Sequence, residues 1–170
     1  MNKKWLFAIL ILGVLIAANF IFKPFSPKVI VNSITTTEDA QKIEITPTFI
    51  DIGKVAFAGG IVSKEYEIKN NTDKSLVVRK IVTSCMCTKA AIEVSGKQTN
   101  YYAMEMGGDK NPRITFEIPA GKTAKLIAKF DPAAHGLKGV GKVDRSIWIT
   151  FADPVGVKEV KFAGEVVTSQ

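Results

Sequence analysis

The chain has 170 residues, 46% of them hydrophobic, and a formal net charge of +7. Four lysines and no acidic residue lie in residues 1–28, so the rest of the chain carries a net charge of only +3. Because nucleic-acid-binding domains concentrate basic residues on one face, this small and interspersed surplus argues against that class.

The first element in chain order is an apolar run, WLFAILILGVLIAANFIF at residues 5–22, which contains no charged residue. A helix of this length spans about 27 Å, enough to cross a thin bilayer. Lys3 and Lys4 precede the run, and this favours a cytoplasmic N-terminus and an extracytoplasmic remainder. We therefore predict a signal-anchor helix over residues 1–22, with a single pass through the bacterial inner membrane.

The alternative for this segment is a cleaved signal peptide, which would leave a secreted or periplasmic domain. Cleavage after Ala18 would place Ile16 at the −3 position, where signal peptides carry a small residue. Residues 23–42 contain two prolines and a threonine run, which predict a linker. Both interpretations place the domain that follows outside the cytoplasm.

In residues 43–170, hydrophobic residues alternate with polar ones, as is typical of strands with one buried face. The pattern is clearest in residues 62–69, 113–118, 125–130, 147–151 and 159–166. Turn sequences rich in Pro, Gly, Asn and Asp separate these runs. We predict an all-β fold, an immunoglobulin-like antiparallel β-sandwich of about seven strands. A small barrel is the alternative.

Three segments of this domain are less regular. Residues 65–81 predict either a hairpin around Asn70–Asp73 or a connection between sheets. Asn70-Asn71-Thr72 matches a glycosylation sequon, although a turn explains it more simply. Residues 93–112 predict a long loop or a hidden short strand. Residues 136–145, GLKGVGKVDR, predict a flexible turn because they lack the order of a phosphate-binding loop.

Both cysteines of the chain, Cys85 and Cys87, lie in the stretch IVTSCMCTKA at residues 81–90. In an extended strand, residues i and i+2 point to the same face with Cα atoms ~6.6–7 Å apart. This separation is at the edge of what a disulfide tolerates, so a bridge requires a bend at Met86. Such a bridge would be strained and reducible, and its short loop would add little stability.

Metal binding and redox catalysis are the alternatives for this pair. Thiolates and thioethers suit Cu(I), with Cys85, Cys87 and Met86 as the candidate ligands. His135, the single histidine, would supply only a third ligand for zinc, and structural zinc sites use about four. Thiol oxidoreductases normally carry C-x-x-C at a helix N-terminus, whereas this pair has one spacer and follows a strand. We predict a structural pair and an exposed loop position for His135.

Four segments carry a resemblance to a known family: FIDIGKV (49–55), YEIKNNTDKSLVVRKIVTSCMCT (66–88), ITFEIPAGKTAKLIAKFDP (114–132) and KFAGEVV (161–167). Their order resembles that of the bacterial domain-of-unknown-function family fifteen seventy-three, whose pattern includes S-C-G-C-T and F-D-P. The resemblance covers about 49–167. It implies an immunoglobulin-like sandwich related to ASPM/SPD-2/Hydin and major-sperm-protein domains, and no known activity. Met86 replaces the family's usual glycine, and Ile50 is inserted before Asp51.

The function predicted from these features is a non-catalytic, membrane-tethered module that binds another envelope protein or helps to assemble a complex. Trp148 lies on the opposite strand face from Ile147 and Ile149 and is the candidate partner contact. We predict no catalytic residues, no cofactor, no nucleic-acid partner and no small-molecule substrate. The alternative is a Cu(I)-binding or thiol-redox protein that uses Cys85 and Cys87.

Overall fold

The computed structural model describes residues 41–153 and 155–168, and all of these residues belong to one compact unit. The predicted anchor at 1–22, with its membrane run 5–22, lies outside the described residues, as does nearly all of the predicted linker at 23–42. Within the described ranges, the helices are too short or too polar to cross a membrane.

Over the described residues the chain forms ten strands and one short 3-10 helix, Gly136–Gly139. The strands are β1 (Ile43–Thr46), β2 (Phe49–Ala56), β3 (Val62–Asn70), β4 (Leu76–Thr83), β5 (Thr88–Val94), β6 (Lys97–Gln98), β7 (Phe116–Ile118), β8 (Thr123–Phe130), β9 (Gly141–Asp153) and β10 (Val155–Val167).

These strands form two five-stranded sheets that enclose the core. The first sheet has the order β1-β3-β8-β5-β6 and is antiparallel throughout. The second has the order β2-β10-β9-β4-β7, with β2 parallel to β10 and the other pairs antiparallel. The predicted all-β sandwich is confirmed.

Two details of the fold prediction are wrong. The described residues form ten strands instead of about seven, because β1, β6 and β7 have only four, two and three residues and are too short to display a period of two. The second sheet is mixed and not antiparallel, since alternation reports which face of a strand is buried but not the direction of its neighbour.

The core between the sheets follows the predicted alternation. Tyr66 and Ile68 on β3 are fully buried, as are Ile147 and Ile149 on β9. The Tyr66 hydroxyl donates a hydrogen bond of 2.9 Å to the carbonyl oxygen of Lys161 on β10, and this bond joins the two sheets. Burial raises the pKa of Tyr66 to about 12.

Asn70 begins the connection between β3 and β4, which lie in different sheets. The hairpin interpretation of residues 65–81 is therefore wrong, and the connection between sheets is correct. The buried Asn70 side chain donates to the carbonyl oxygens of Lys74 at 2.7 Å and Ile118 at 2.9 Å, and accepts from the Thr72 backbone at 3.0 Å. The asparagine of the sequon is thus a structural residue of the turn.

The other irregular segments each contain part of a strand. Residues 93–112 are mostly a long connection, with β6 pairing against the end of β5. The turn predicted over residues 136–145 ends at Val140, because β9 begins at Gly141 and includes Arg145. The prediction for Arg145 is therefore wrong, and this residue lies on a central strand of the second sheet.

Candidate functional site

The Cys-Met-Cys stretch connects β4 to β5, where the chain crosses from the second sheet to the first. The Thr88 amide donates to the Cys85 carbonyl oxygen at 3.0 Å, which closes a four-residue turn around Met86 and Cys87. The Cα atoms of Cys85 and Cys87 are 5.3 Å apart and their sulfur atoms form a disulfide. Among the described residues, Ser95 is the only non-glycine residue with a positive φ. Met86 therefore has a negative φ, which any residue adopts without strain.

Neighbouring groups hold this turn in place. The buried Thr83 hydroxyl lies 2.9 Å from the carbonyl oxygens of both Cys85 and Thr88. On the other side, the Asp131 amide donates to the Cys87 carbonyl oxygen at 2.9 Å. These bonds satisfy the carbonyl groups of both cysteines and fix the orientation of the pair.

The turn is also tied to β9. The Ser84 amide donates to the Ser146 carbonyl oxygen at 2.9 Å, and the Ser146 amide donates to Ser84 Oγ at 2.9 Å. This pairing extends the contact between β4 and β9 and brings Arg145, the residue before Ser146, against the cysteine turn.

His135 reaches the pair from the connection between β8 and β9, just before the 3-10 helix. Its Nε2 atom lies 3.1 Å from Cys85 Sγ, and it donates or accepts depending on the tautomer. The residue is exposed, as predicted, but the prediction missed this contact.

Arg145 reaches the other sulfur atom. Its Nε donates to Cys87 Sγ at 3.2 Å, and Nη1 donates to the Asp144 carbonyl oxygen at 2.8 Å. This role of Arg145 is not among the predictions from the sequence, although a signal for it is present there. Arg145 falls in the period-two register of the buried residues Val143 and Ile147, and a charged residue at an inward position needs a partner.

We call Cys85, Cys87, His135 and Arg145 the cysteine site. The cysteines are 9% and 3% exposed, so the pair is largely buried and Cys85 is the more accessible of the two. A cationic neighbour stabilises a thiolate, and an imidazole transfers protons near neutral pH. The two sulfur atoms and His135 Nε2 all lie within 4.8 Å of one another. The arrangement suits thiol–disulfide exchange and, after reduction, coordination of a soft metal.

A surface cleft of about 510 Å³ opens beside the cysteine site. Its lining includes Cys87, Ile61, Met86 and Tyr101. Ile61 and Met86 are 58% and 52% exposed, and Lys129 Nζ lies 4.3 Å from the centre of the Tyr101 ring. Exposed apolar side chains therefore stand next to a disulfide.

A larger cleft of about 790 Å³ lies elsewhere and is lined by basic residues, among them Arg79 and Lys80. Lys80 forms an ion pair of 2.8 Å with Glu105, and its hydrogen bond lowers the pKa of the Glu105 carboxyl. Arg79 donates to Thr115 Oγ1 at 2.7 Å. The described residues that line this cleft include no cysteine or histidine, so the cysteine site is the better candidate for chemistry.

Trp148, the predicted partner contact, is half-buried on the outer face of β9. Its neighbours across the sheet are Val82 on β4 and Glu159 on β10. It therefore belongs to a sheet face and not to the cysteine site.

Comparison with known proteins supports the family resemblance over part of the chain. The profile of the family described as "Protein of unknown function (DUF1573)" matches residues 43–100. The predicted resemblance is confirmed over that range, which includes the cysteine pair, and its extension to residue 167 stays a prediction. None of the curated proteins matches this chain.

One solved structure supports the fold. A protein of unknown function from Porphyromonas gingivalis W83 is 20% identical, with a TM-score of 0.53 over 72% of this chain and 46% of that chain. This chain thus spans less than half of that protein. The ASH/PapD-like domain of human CEP192 is 13% identical, with a TM-score of 0.47 over 76% of this chain and 87% of that domain. At such identities the likeness concerns the fold alone.

Proposed function

We propose that this domain is a thiol–disulfide redox module whose Cys85–Cys87 pair exchanges its disulfide with a partner protein. The observation that carries the proposal is the nitrogen atom at each sulfur, His135 Nε2 at 3.1 Å from Cys85 and Arg145 Nε at 3.2 Å from Cys87. The closed loop contains only three residues, so the disulfide adds little stability to the turn. A structural role alone therefore does not explain why a basic group contacts each sulfur atom.

The geometry supports different roles for the two cysteines. Cys85 is the more exposed, and His135 beside it is placed to take the proton of an incoming thiol. The partner's thiolate attacks Cys85 Sγ, the S–S bond breaks, and Cys87 leaves as a thiolate beside the Arg145 guanidinium.

The cycle closes within the same pair of proteins. A second thiol of the partner attacks the mixed disulfide and releases Cys85, so the partner becomes oxidised and the domain holds two thiols. The two protons of the partner's thiols end on Cys85 and Cys87, and two electrons pass to the domain. Run in reverse, the same steps reduce an oxidised partner.

Trapping with single-cysteine variants tests this assignment. By microscopic reversibility, Cys85 in a Cys87→Ser variant attacks an oxidised partner and forms a mixed disulfide that cannot resolve. Non-reducing gels and mass spectrometry of the full chain in its native envelope should show a discrete adduct for Cys87→Ser, and several-fold less for Cys85→Ser. Equal trapping by both variants, or none above the Cys85→Ser/Cys87→Ser background, would overturn the assignment.

A second candidate function, a non-catalytic protein-interaction or envelope-assembly module, is favoured by the cleft with its exposed Ile61 and Met86. In this case the exposed apolar side chains carry the binding and the disulfide takes no part in it. Crosslinking and pull-down distinguish the two functions. The interaction module keeps its partner in the Cys85→Ser/Cys87→Ser variant and loses it in Ile61→Asp, whereas the redox module loses its covalent adduct in the former.

Both functions are proposed for an extracytoplasmic domain tethered to the membrane through residues 5–22, with another envelope protein as the partner. Support comes from the uncharged apolar run and the two lysines before it. An oxidising compartment suits a disulfide that is formed in the resting protein. Protease added to spheroplasts should digest the domain, and protection of the domain there would contradict this location.

A further inference from the structure

We infer that the reduced cysteine site binds one Cu(I) ion through Cys85 Sγ, Cys87 Sγ and His135 Nε2. This inference rests on the proposed function only in requiring that the pair can be reduced. Disulfide exchange does not use a metal ion, so the Cu(I) ion is an addition to the proposed function. His135 then has a second role, as a residue that coordinates the metal.

The ligand atoms are already gathered. The two sulfur atoms and His135 Nε2 lie within 4.8 Å of one another. Bonds of about 2.0–2.3 Å, the lengths found at zinc, place the three ligands of a trigonal site about 3.8 Å apart. The site requires two small movements: reduction separates the two sulfur atoms, and His135 Nε2, which lies 3.1 Å from Cys85 Sγ, moves outward by about 0.7 Å to reach the trigonal spacing.

The chemistry of the three ligands selects a soft ion. Thiolates favour Cu(I), and imidazole also accepts copper. A structural zinc site would need a fourth protein ligand, whereas the described residues gather three groups of the kinds that commonly bind zinc. A three-coordinate monovalent ion therefore fits the site better than zinc.

Arg145 balances the charge of the complex. Two thiolates and one Cu(I) ion leave a net charge of −1 on the site, and the Arg145 guanidinium already contacts Cys87 Sγ at 3.2 Å. A buried anionic complex needs such a partner. The second cation of the same strand, the exposed Lys142, provides a matched control.

The loading step balances with a thiol reductant. Two reductant thiols convert the Cys85–Cys87 disulfide into two thiols and leave as a disulfide. The two cysteine thiols then lose their protons to solvent as Cu(I) binds, and the metal does not change its oxidation state.

The test titrates the reduced full chain, without oxygen, with Cu(I) held by a colorimetric chelator. We expect one copper ion per chain, no binding by Cys85→Ser/Cys87→Ser, and at least about tenfold weaker binding by His135→Ala. Lys138→Ala, in the 3-10 helix beside His135, should bind like the wild type. X-ray absorption of the loaded protein should show both sulfur and nitrogen neighbours.

Three results would overturn the inference and are separable from failure of the proposed function. If the pair is readily reduced but takes no copper from the chelator, the copper site is contradicted and the redox proposal is unaffected. Equal copper affinity in His135→Ala and wild type, or zinc bound in preference to Cu(I), removes the site as described. If the pair resists reduction in the folded protein, both the copper site and the redox function are contradicted. Circular dichroism of each variant separates loss of ligands from loss of fold.

Discussion

The Nε2 atom of His135 lies 3.1 Å from Sγ of Cys85, although 50 residues separate them in the chain. The contact exists because both residues lie in connections that cross between the two sheets, His135 between β8 and β9 and Cys85 between β4 and β5. Because of this crossing, and because Arg145 comes from the neighbouring strand, the largely buried disulfide has two basic partners.

Removal of the Arg145 cation should slow the reaction of the Cys87 thiol with a thiol reagent. Because the guanidinium stabilises the Cys87 thiolate, we expect Arg145→Ala, in a Cys85→Ser background that leaves Cys87 as the reacting thiol, to react about fivefold more slowly at neutral pH, equivalent to ~1 kcal/mol for a partly exposed charged contact. Stopped-flow measurement with an aromatic disulfide gives the rate. Lys142→Ala should react at the wild-type rate and Arg145→Lys at an intermediate one. Unchanged kinetics in Arg145→Ala would mean that the contact has no chemical role.

Thr83→Val should destabilise the domain. The change removes a buried hydroxyl whose single proton is shared between the carbonyl oxygens of Cys85 and Thr88, each 2.9 Å away, so the free energy of unfolding should fall by about 1–3 kcal/mol. Urea unfolding measures this. The control Thr115→Val alters an exposed threonine and should stay within roughly 0.5 kcal/mol of wild type. Similar losses in both variants would contradict a special role for Thr83.

Replacement of Met86 by the glycine usual in the resembled family should leave the disulfide in place but cost stability. The turn needs no positive φ at Met86, so glycine adds only freedom to the unfolded chain. We expect Met86→Gly to unfold more easily than Met86→Ala by about 0.5–1 kcal/mol. Thermal unfolding compares the two, and a more stable glycine variant would show that the side chain strains the turn.

Tyr66→Phe should alter stability in opposite directions at neutral and high pH. At neutral pH the variant loses the hydrogen bond to the Lys161 carbonyl and should be less stable by about 1 kcal/mol.

At high pH the sign reverses because the pKa of Tyr66 is raised from 10.0 to about 12 in the folded state. The stabilisation from neutral Tyr66 is complete below pH 10 and is lost as pH rises towards 12, by up to roughly 2–3 kcal/mol. Tyr66→Phe lacks this loss, which exceeds its own deficit of about 1 kcal/mol at neutral pH, so the two stability curves should cross there. Tyr101→Phe is the control and should follow the wild-type curve, while parallel curves for Tyr66→Phe would contradict the shift.

Much of the fold follows from the period of two. The alternation that buries Tyr66, Ile147 and Ile149 specifies which face of each strand is inward, and this identifies a sandwich. The parallel pairing of β2 with β10 could not be predicted in this way, because pairing direction depends on tertiary contacts. The short strands β6 and β7 could not be predicted either, because two or three residues are too few to show a period of two.

The candidate site was predictable only in part. The spacing of Cys85 and Cys87 predicts that a bridge requires a bend at Met86, and the turn centred on Met86 and Cys87 lies there. The contacts of His135 and Arg145 depend on how two distant connections meet, which no local pattern contains. The sequence does contain a signal for Arg145, which is a charged residue in the register of buried ones. The glycines before it predicted a turn, however, so residues 141–145 were not assigned to a strand.

The most direct test of the redox proposal is the mass of the folded full chain after equilibration with glutathione buffers of graded ratio. The proposal predicts a reversible gain of two hydrogens as reduced glutathione increases, in the wild type and in the Lys142→Ala control. It further predicts that Arg145→Ala needs more reduced glutathione to reach the same fraction, because the thiolate of Cys87 is less stabilised. A pair that keeps its disulfide at every ratio while the domain stays folded would contradict the proposal.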